Sequence, residues 1–355
     1  MAVTDDRRAG SRLSTARGPF RPREAPPERP SSFLDSFPPD PAGFVAVAPP
    51  LVSIGIPAHN GAGTAAAAVA SALAQSHPEK EVLVVDDGST DRTREVLEPF
   101  LPRIRLLAQT NRGRAAARNA LLEAARGEWI QWLDQDDLLL PAKIATQLSE
   151  TGGGAGAEVL YSPCLLDEGT GELRAQAPCP ERDLLRSWFA GELPQTGGYL
   201  WRREAVRRLG GWSDLAPLFD DYELVGRALR RGLRFRLAPS LGAVWRIRRG
   251  PASAERTRDF ARQKAAVLEE MARWLDQSGG WTPRLRAAAG EAFFLAARWL
   301  ARGGAPGQAE RFFAEASARG WMRPPRSPLY RILLGGLGFS RAERFSAALR
   351  RLSPA

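Results

Sequence analysis

Three aspartates within four residues, Asp134, Asp136 and Asp137, follow an apolar stretch over residues 129–133. Bulky aromatic and β-branched residues favour a buried strand, so these carboxylates would lie together where that strand ends. Clustered carboxylates repel one another unless a cation lies between them. Hard divalent ions such as Mg²⁺ or Mn²⁺ take oxygen ligands and share them with substrate phosphates. The segment therefore predicts a Mg²⁺ or Mn²⁺ site. The alternative is a solvated acidic turn in which Asp137 caps a helix starting near Leu138.

Strand and helix patterns alternate along the chain before this segment. Apolar strand-like runs lie near residues 51–57, 81–85 and 104–107, and helix-like runs near residues 65–75, 93–100 and 115–125. This order predicts an α/β fold with a doubly wound, mostly parallel sheet flanked by helices. Ligands bind such sheets beyond the carboxyl ends of the strands. Polar clusters follow three of these ends, at residues 58–60, 86–87 and 134–137. We expect them to converge on one crevice.

The few cysteines and histidines exclude several kinds of site. Cys164 and Cys179 are the only cysteines among 355 residues, and they do not form a CxxC pattern. They argue against a disulfide framework and a zinc site, and they favour a reducing compartment. Only two histidines occur, His59 and His77, which excludes a three-histidine metal centre.

Composition divides the chain into three parts. Residues 1–44 are rich in proline and arginine and predict a disordered leader, because they offer too little apolar surface for a core. Residues 45–252 carry the motifs and predict a catalytic domain. Residues 253–355 have alanine and leucine at helical spacing, with 18 basic and 9 acidic side chains, a net charge of +9. They predict a basic α-helical C-terminal region.

The concentration of positive charge in residues 253–355 bears on which partners the protein has and where in the cell it lies. A nucleic-acid enzyme usually places its basic surface on the catalytic domain, so no nucleic-acid partner is expected here. No apolar run reaches the length of about 18 residues that predicts a membrane-spanning helix, and no apolar core of signal-peptide type opens the sequence. We expect a cytoplasmic protein. Peripheral contact of residues 253–355 with the inner face of a membrane is an open alternative.

Four motifs occur in order within residues 50–250, and their sequences are VSIGIPAHN (52–60), VVDDGSTD (84–91), NRGRAAARN (111–119) and GEWIQWLDQDD (127–137). Together they resemble the family 2 glycosyltransferases, which are inverting, nucleotide-sugar-dependent enzymes of the GT-A fold. The resemblance implies transfer of a hexose from a nucleotide-diphosphate donor, most simply a UDP-sugar. The acceptor would be a saccharide, a lipid-linked molecule or a protein, in polysaccharide or glycoconjugate biosynthesis.

The resemblance also implies a set of nucleotide-binding side chains, which are Pro57, His59, Asn60, Asp87, Arg118 and Asp134. In this interpretation Asp87 accepts from the imide N–H of the base or from a ribose hydroxyl, and Arg118 contacts the base or ribose. Pro57 and Asn60 shape the loop beneath the base. The alternatives are that Asp87 only forms a turn before Gly88 and that Arg118 is a solvated surface residue.

The aspartate cluster corresponds to the metal site of the resembled family. Asp136 would be the direct ligand of Mn²⁺ or Mg²⁺, with Asp137 beside it, and Asp134 would hold the metal, the sugar or the ribose. Near the end of the domain the family often has a histidine, whereas this chain has the arginines Arg246 and Arg248. They would bind the diphosphate through charge-assisted hydrogen bonds.

A further aspartate pair, Asp220 and Asp221, resembles the catalytic motif of the family. Asp221 would act as general base and take the proton from an acceptor hydroxyl. An alternative is that either aspartate caps the helix expected over residues 222–231. A second hypothesis for the whole chain is a catalytically silent nucleotide-sugar-binding or scaffold protein of the same fold.

Overall fold

The computed structural model describes residues 48–247, 254–321, 334 and 336–352. The described residues after Ala48 pack as one compact unit. The predicted disordered leader, residues 1–44, and the side chain of Arg248 lie outside the described residues. The predicted boundary at residue 252 therefore stays a prediction.

The strands form two sheets. They are β1 (Val52–Ala58), β2 (Lys80–Asp87), β3 (Arg105–Gln109), β4 (Trp129–Trp132), β5 (Leu138–Leu139), β6 (Val159–Tyr161), β7 (Cys164–Asp167), β8 (Leu173–Ala175), β9 (Tyr199–Arg202), β10 (Phe235–Leu237) and β11 (Ala243–Arg246). The larger sheet has the order β10-β6-β9-β4-β1-β2-β3, and only β9 pairs antiparallel with its neighbours. The smaller sheet has the order β5-β11-β7-β8. The predicted mostly parallel sheet is confirmed, whereas the smaller sheet was not foreseen.

Helices accompany the sheets along the described chain. They are α1 (Ala65–Leu73), α2 (Thr93–Leu97), α3 (Arg114–Ala124), α4 (Lys143–Glu150), α5 (Leu184–Ala190), α6 (Arg203–Leu209), α7 (Asp220–Arg230), α8 (Ala254–Ser278), α9 (Pro283–Arg302), α10 (Pro306–Ala318) and α11 (Phe339–Leu352). Short 3₁₀ turns cover Glu98–Arg103, Glu181–Asp183 and Thr196–Gly198. The predicted α/β architecture with a helical C-terminal region is thereby confirmed.

Strand β2 shows why helices cover both faces of the large sheet. Successive side chains of a strand point to opposite faces. Val82 and Val84 accordingly pack into one apolar cluster with α1, while Leu83 and Val85 pack into another with Leu121 of α3. A strand buried on both faces is a continuous apolar run, as the sequence has here.

The polar segments meet at one edge of the large sheet. Strands β1, β2 and β4 run parallel, and the register pairs Ala58 with Asp86. The segments that follow these strands therefore emerge side by side. Beyond β4, residues Leu138–Leu139 form strand β5, and the next helix begins only at Lys143. The alternative in which Asp137 caps a helix starting near Leu138 is therefore wrong.

The first C-terminal helix packs against the α/β part of the fold. Ala261, Ala265 and Leu268 of α8 share an apolar cluster with Leu224 and Val225 of α7. No helix within the described ranges is long and apolar enough to cross a membrane.

Candidate active site

A cavity of about 280 Å³ lies beyond the carboxyl ends of β1, β2 and β4. Its lining residues are Pro57, Ala58, His59, Asp87, Arg114, Ala117, Asp134, Gln135 and Asp136. We call it the strand-end cavity. It brings together residues from all three polar segments that were expected to share one crevice.

Asp87 anchors the loop before α3. The residue is 4% exposed. Its carboxylate accepts from the backbone N–H groups of Arg112 (2.8 Å) and Gly113 (2.9 Å) and from Gln109 Nε2 (2.7 Å). A carboxylate has about four lone-pair positions, so capacity for one more donor remains. Asp87 therefore shapes the cavity wall while keeping room for a ligand N–H or O–H.

His59 and Asn60 join the loops that follow β1 and β2. Since a carbonyl only accepts, His59 Nδ1 donates to the carbonyl oxygen of Asp87 at 2.9 Å. Its Nε2 is then an acceptor and lies 3.3 Å from Asn111 Nδ2. Asn60 adopts a positive φ of 49°, and its Oδ1 accepts from the Thr90 N–H at 2.9 Å. These contacts fix the orientation of the imidazole at the cavity.

Gln135 holds the His59 loop from the other side, a role that the sequence did not reveal. Its Oε1 accepts from the His59 N–H at 3.0 Å, and its Nε2 donates to the His59 carbonyl at 2.9 Å. Gly61 leaves room for this amide, because a Cβ there would lie 2.1 Å from Gln135 Oε1. An amide between aspartates was the only available signal.

Arg118 lies beneath the cavity and links two carboxylates. Its side chain is fully buried, donates to Asp134 Oδ1 at 2.5 Å and also donates to the Asp220 carboxylate. The guanidinium stacks on Trp212, with its Cζ 4.2 Å from the ring centroid. Burial opposes its charge, but Asp134 and Asp220 outweigh burial and raise its pKa. This geometry favours a role in holding carboxylates. The predicted contact with the base or ribose stays a prediction.

Asp220 and Asp221 occupy the first turn of α7. The N-cap position is Phe219, so neither aspartate is the capping residue that was considered as an alternative. Asp220 accepts from the Asp221 N–H at 3.0 Å, and Asp221 accepts from the Tyr222 N–H at 2.7 Å. Burial raises the pKa of Asp221 to about 6; Asp220 adds to the rise, and Arg118 opposes it.

Asp221 lines a second cavity, of about 350 Å³. The other lining residues are Trp188, Gly191, Leu193, Pro194, Gln195, Tyr199, Leu218, Phe219, Tyr222, Val225, Trp245, Phe260 and Lys264. We call it the aromatic cavity. Arg118 connects the two cavities through its two carboxylate partners. Asp134 lines the strand-end cavity, and Asp220 directly precedes Asp221, which lines the aromatic cavity.

Only two of the three clustered aspartates line the strand-end cavity. Asp134 and Asp136 line the strand-end cavity, but Asp137 is 4% exposed and accepts from the Arg246 N–H at 2.8 Å. Burial raises the pKa of Asp137 to about 8, and Asp134 contributes to the rise. Among the residues that the structure describes, no group of three or more His, Cys, Asp or Glu is arranged to hold a metal. Two cavity carboxylates still fit an ion whose remaining ligands are substrate phosphates and water.

Sequence comparison places the strand-end cavity within a family match. Residues 53–209 match the model of the family described as "Glycosyl transferase family 2". The chain is 34% identical over 237 residues to succinoglycan biosynthesis protein ExoU of Rhizobium meliloti, covering 62% of this chain and 69% of that protein. It is 33% identical over 227 residues to succinoglycan biosynthesis protein ExoO of the same organism, covering 58% and 63%. The chain thus spans under two thirds of ExoO.

Two solved structures have a similar fold. One is S. aureus TarS 1-349 in complex with UDP-GlcNAc, with a TM-score of 0.53, 18% identity, and coverage of 78% of this chain and 93% of that one. The other is the mannosyltransferase PcManGT from Pyrobaculum calidifontis in complex with GDP-Man and Mn²⁺, with a TM-score of 0.52, 20% identity, and coverage of 85% and 87%. At these identities the similarity concerns the fold alone, which is of the GT-A type.

Proposed function

Because the chain belongs to the family 2 glycosyltransferases, we propose that it moves a hexose from a UDP-sugar to an acceptor hydroxyl with inversion at the anomeric carbon. One observation carries this proposal. Arg118 joins Asp134, on the wall of the strand-end cavity, to Asp220, which adjoins Asp221 in the aromatic cavity. Arg118 thereby links the proposed donor site to the helix turn that carries the proposed proton acceptor.

The strand-end cavity is the proposed donor site. Pro57 and His59 line it, and Asn60 holds the same loop through the Thr90 N–H. Asp87 keeps one acceptor position for an imide N–H or a ribose hydroxyl. TarS in complex with UDP-GlcNAc and PcManGT in complex with GDP-Man support a nucleotide sugar as the ligand of this fold.

Asp134 and Asp136 are the proposed protein ligands of a Mn²⁺ or Mg²⁺ ion. The PcManGT complex with Mn²⁺ supports a divalent ion. When bound, such an ion would neutralise charge on the leaving nucleoside diphosphate. Asp137 leaves the proposed ligand set, because its carboxylate is buried against the Arg246 backbone. The Arg246 and Arg248 side chains keep their proposed role at the diphosphate.

Asp221 is the proposed general base. It takes the proton of the acceptor hydroxyl while that oxygen attacks the anomeric carbon and the bond to the donor phosphate breaks. The sugar passes through an oxocarbenium-like state, and a single displacement inverts the centre. With a pKa of about 6, the carboxylate is ionised at neutral pH yet more basic than an ordinary aspartate. Arg118 and Asp220 act as positioning residues.

The acceptor is proposed to be a saccharide, free or carried on a lipid or protein. The similarity to two succinoglycan biosynthesis proteins supports a role in polysaccharide assembly. The predicted cytoplasmic location and the membrane contact through residues 253–355 stay predictions.

Calorimetric titration with UDP, with and without Mn²⁺, tests the donor site. We expect Mn²⁺-dependent binding to the wild-type chain and loss of the metal dependence in Asp136→Asn. Asp137→Asn is the matched control and should bind like the wild type, because an amide oxygen can still accept from the Arg246 N–H. Absence of UDP binding by the wild type, or an unchanged Asp136→Asn, would overturn the assignment.

Release of UDP from a panel of UDP-sugars separates an enzyme from a silent binding protein. The wild type should release UDP from at least one UDP-sugar. Asp221→Asn should still bind UDP but should release none from any UDP-sugar. A wild-type chain that binds UDP but neither transfers nor hydrolyses any UDP-sugar of the panel would favour the silent alternative.

A further inference from the structure

The aromatic cavity combines six aromatic side chains with one acidic and one basic side chain. The rings belong to Trp188, Tyr199, Phe219, Tyr222, Trp245 and Phe260. Asp221 enters the cavity from the start of α7, and Lys264 enters it from α8. The C-terminal helical region therefore supplies part of the wall around the proposed general base.

Lys264 is held among rings. The residue is only 9% exposed, and its Nζ lies 3.1 Å from the ring centroid of Tyr222 and 5.3 Å from that of Phe219. Aromatic faces attract an ammonium group but accept none of its three hydrogen bonds in the way an oxygen does. Within the described ranges, the Lys264 ammonium makes no hydrogen bond or ion pair to an oxygen.

A buried cation without an oxygen partner is costly. Burial lowers the pKa of Lys264 to about 7, and the negative charge of Asp221 opposes this shift. Lys264 lines the cavity, so its ammonium can donate hydrogen bonds to a ligand bound there. An anion would satisfy the ammonium best, because charge-assisted hydrogen bonds are about twice as strong as neutral ones.

Resting on the proposed function, we propose that the aromatic cavity binds the acceptor saccharide and that Lys264 donates to an anionic oxygen substituent of that saccharide, a carboxylate or a phosphate. The ring walls suit the C–H faces of a sugar, and a cavity of about 350 Å³ is of the size found in small-molecule sites. Asp221, in the same cavity, then faces an acceptor hydroxyl. Lys264 would thereby make α8 an element of acceptor specificity.

Calorimetric titration of the full chain with three probes tests this proposal, with and without UDP and Mn²⁺. The probes are methyl β-D-glucuronide, glucose 6-phosphate and the neutral methyl β-D-glucoside. We expect at least one anionic probe to bind about tenfold or more tighter than the glucoside, as a hydrogen bond to a charged group implies. The tighter of the two anionic probes identifies a carboxylate or a phosphate as the recognised group.

Lys264→Met should remove the preference for the anionic probe, because it keeps the length of the side chain and loses the charge. Lys264→Gln gives the same readout if the methionine variant folds poorly. Lys80→Met is the matched control: Lys80 lies at the start of β2, at the opposite end from Asp87, and its loss should leave the preference unchanged.

Equal affinity for the three probes, no measurable binding of any of them, or a preference that survives in both Lys264 variants would overturn the proposal. Failure of the proposed function has a different signature. The wild-type chain would then fail to bind UDP with Mn²⁺, while a Lys264-dependent preference for anionic sugars persisted without the nucleotide.

Discussion

The guanidinium of Arg118 donates to the carboxylate of Asp220 where both side chains are buried. The same guanidinium donates to Asp134. A single residue of α3 therefore ties the segment after β4 to the first turn of α7. This matters for the proposed function because Asp134 lines the strand-end cavity, while Asp220 directly precedes Asp221, which lines the aromatic cavity. Moving either carboxylate would change the distance between the proposed donor site and the proposed general base.

Replacing Arg118 with methionine should destabilise the chain strongly. Two carboxylates would lose their shared cation, and removing one partner of a buried ion pair costs about 3–5 kcal/mol. We expect a loss of that order in the free energy of unfolding, measured by urea denaturation, together with loss of transfer. Arg92→Met is the control, since Arg92 forms an exposed pair with Glu95 and should matter little. Equal stability of the two variants would contradict the interpretation.

The rate of transfer should depend on the ionisation of Asp221. Asp221 can accept a proton only when it is deprotonated, and its pKa is about 6, so kcat/KM should fall as the pH drops below that value. Asp221→Asn should lower the rate by about 10²–10⁴-fold, the usual contribution of a general base. A rate profile that stays level down to pH 4 would exclude Asp221 from that role.

Asp221→Asn should also stabilise the folded chain at neutral pH. The folded pKa lies above the value of 3.8 for an ordinary aspartate, so between about pH 4 and 6 the folded state holds more protons than the unfolded state. The contribution of Asp221 to stability therefore falls as pH rises through this window. Urea denaturation of the variant should lack that fall. Asp214→Asn, at an exposed position, should behave like the wild type. A variant less stable than the wild type at pH 7 would refute this prediction.

The strand-end cavity was predictable because its residues follow strands. Pro57, Asp87 and Asp134 lie at or just beyond buried apolar runs, and parallel strands bring such positions to one edge. This inference needs only the periodicity of the sequence and the rule that ligands bind at the carboxyl ends of strands. The observed sheet order confirms the parallel pairing that the inference required.

Contacts that depend on distant backbone were not predictable in the same way. Nothing local distinguishes Asp137 from Asp136, and its inward orientation depends on the Arg246 N–H, 109 residues further along the chain. Lys264 belongs to a helical segment whose pattern shows only that one face is buried. Its place beside Asp221 follows from how α8 packs on α7, which is a tertiary property.

The close approach of Gly61 and Gln135 allows a test of what positions the His59 loop at the strand-end cavity. A Cβ at Gly61 would lie 2.1 Å from Gln135 Oε1, and Gly61 does not need a positive φ, so Gly61→Ala should act chiefly by displacing that amide. Both Gly61→Ala and Gln135→Ala should then free the His59 loop and weaken UDP binding, each by about tenfold for two lost hydrogen bonds. Because both changes break the same contact, the double variant should bind UDP about as well as either single one.

Gly63→Ala is the control, since a Cβ there meets nothing within 4 Å. Calorimetric titration with UDP and Mn²⁺ measures all four variants. Losses that add in the double variant would show that Gly61 and Gln135 act separately, and the amide of Gln135 would not be what positions His59.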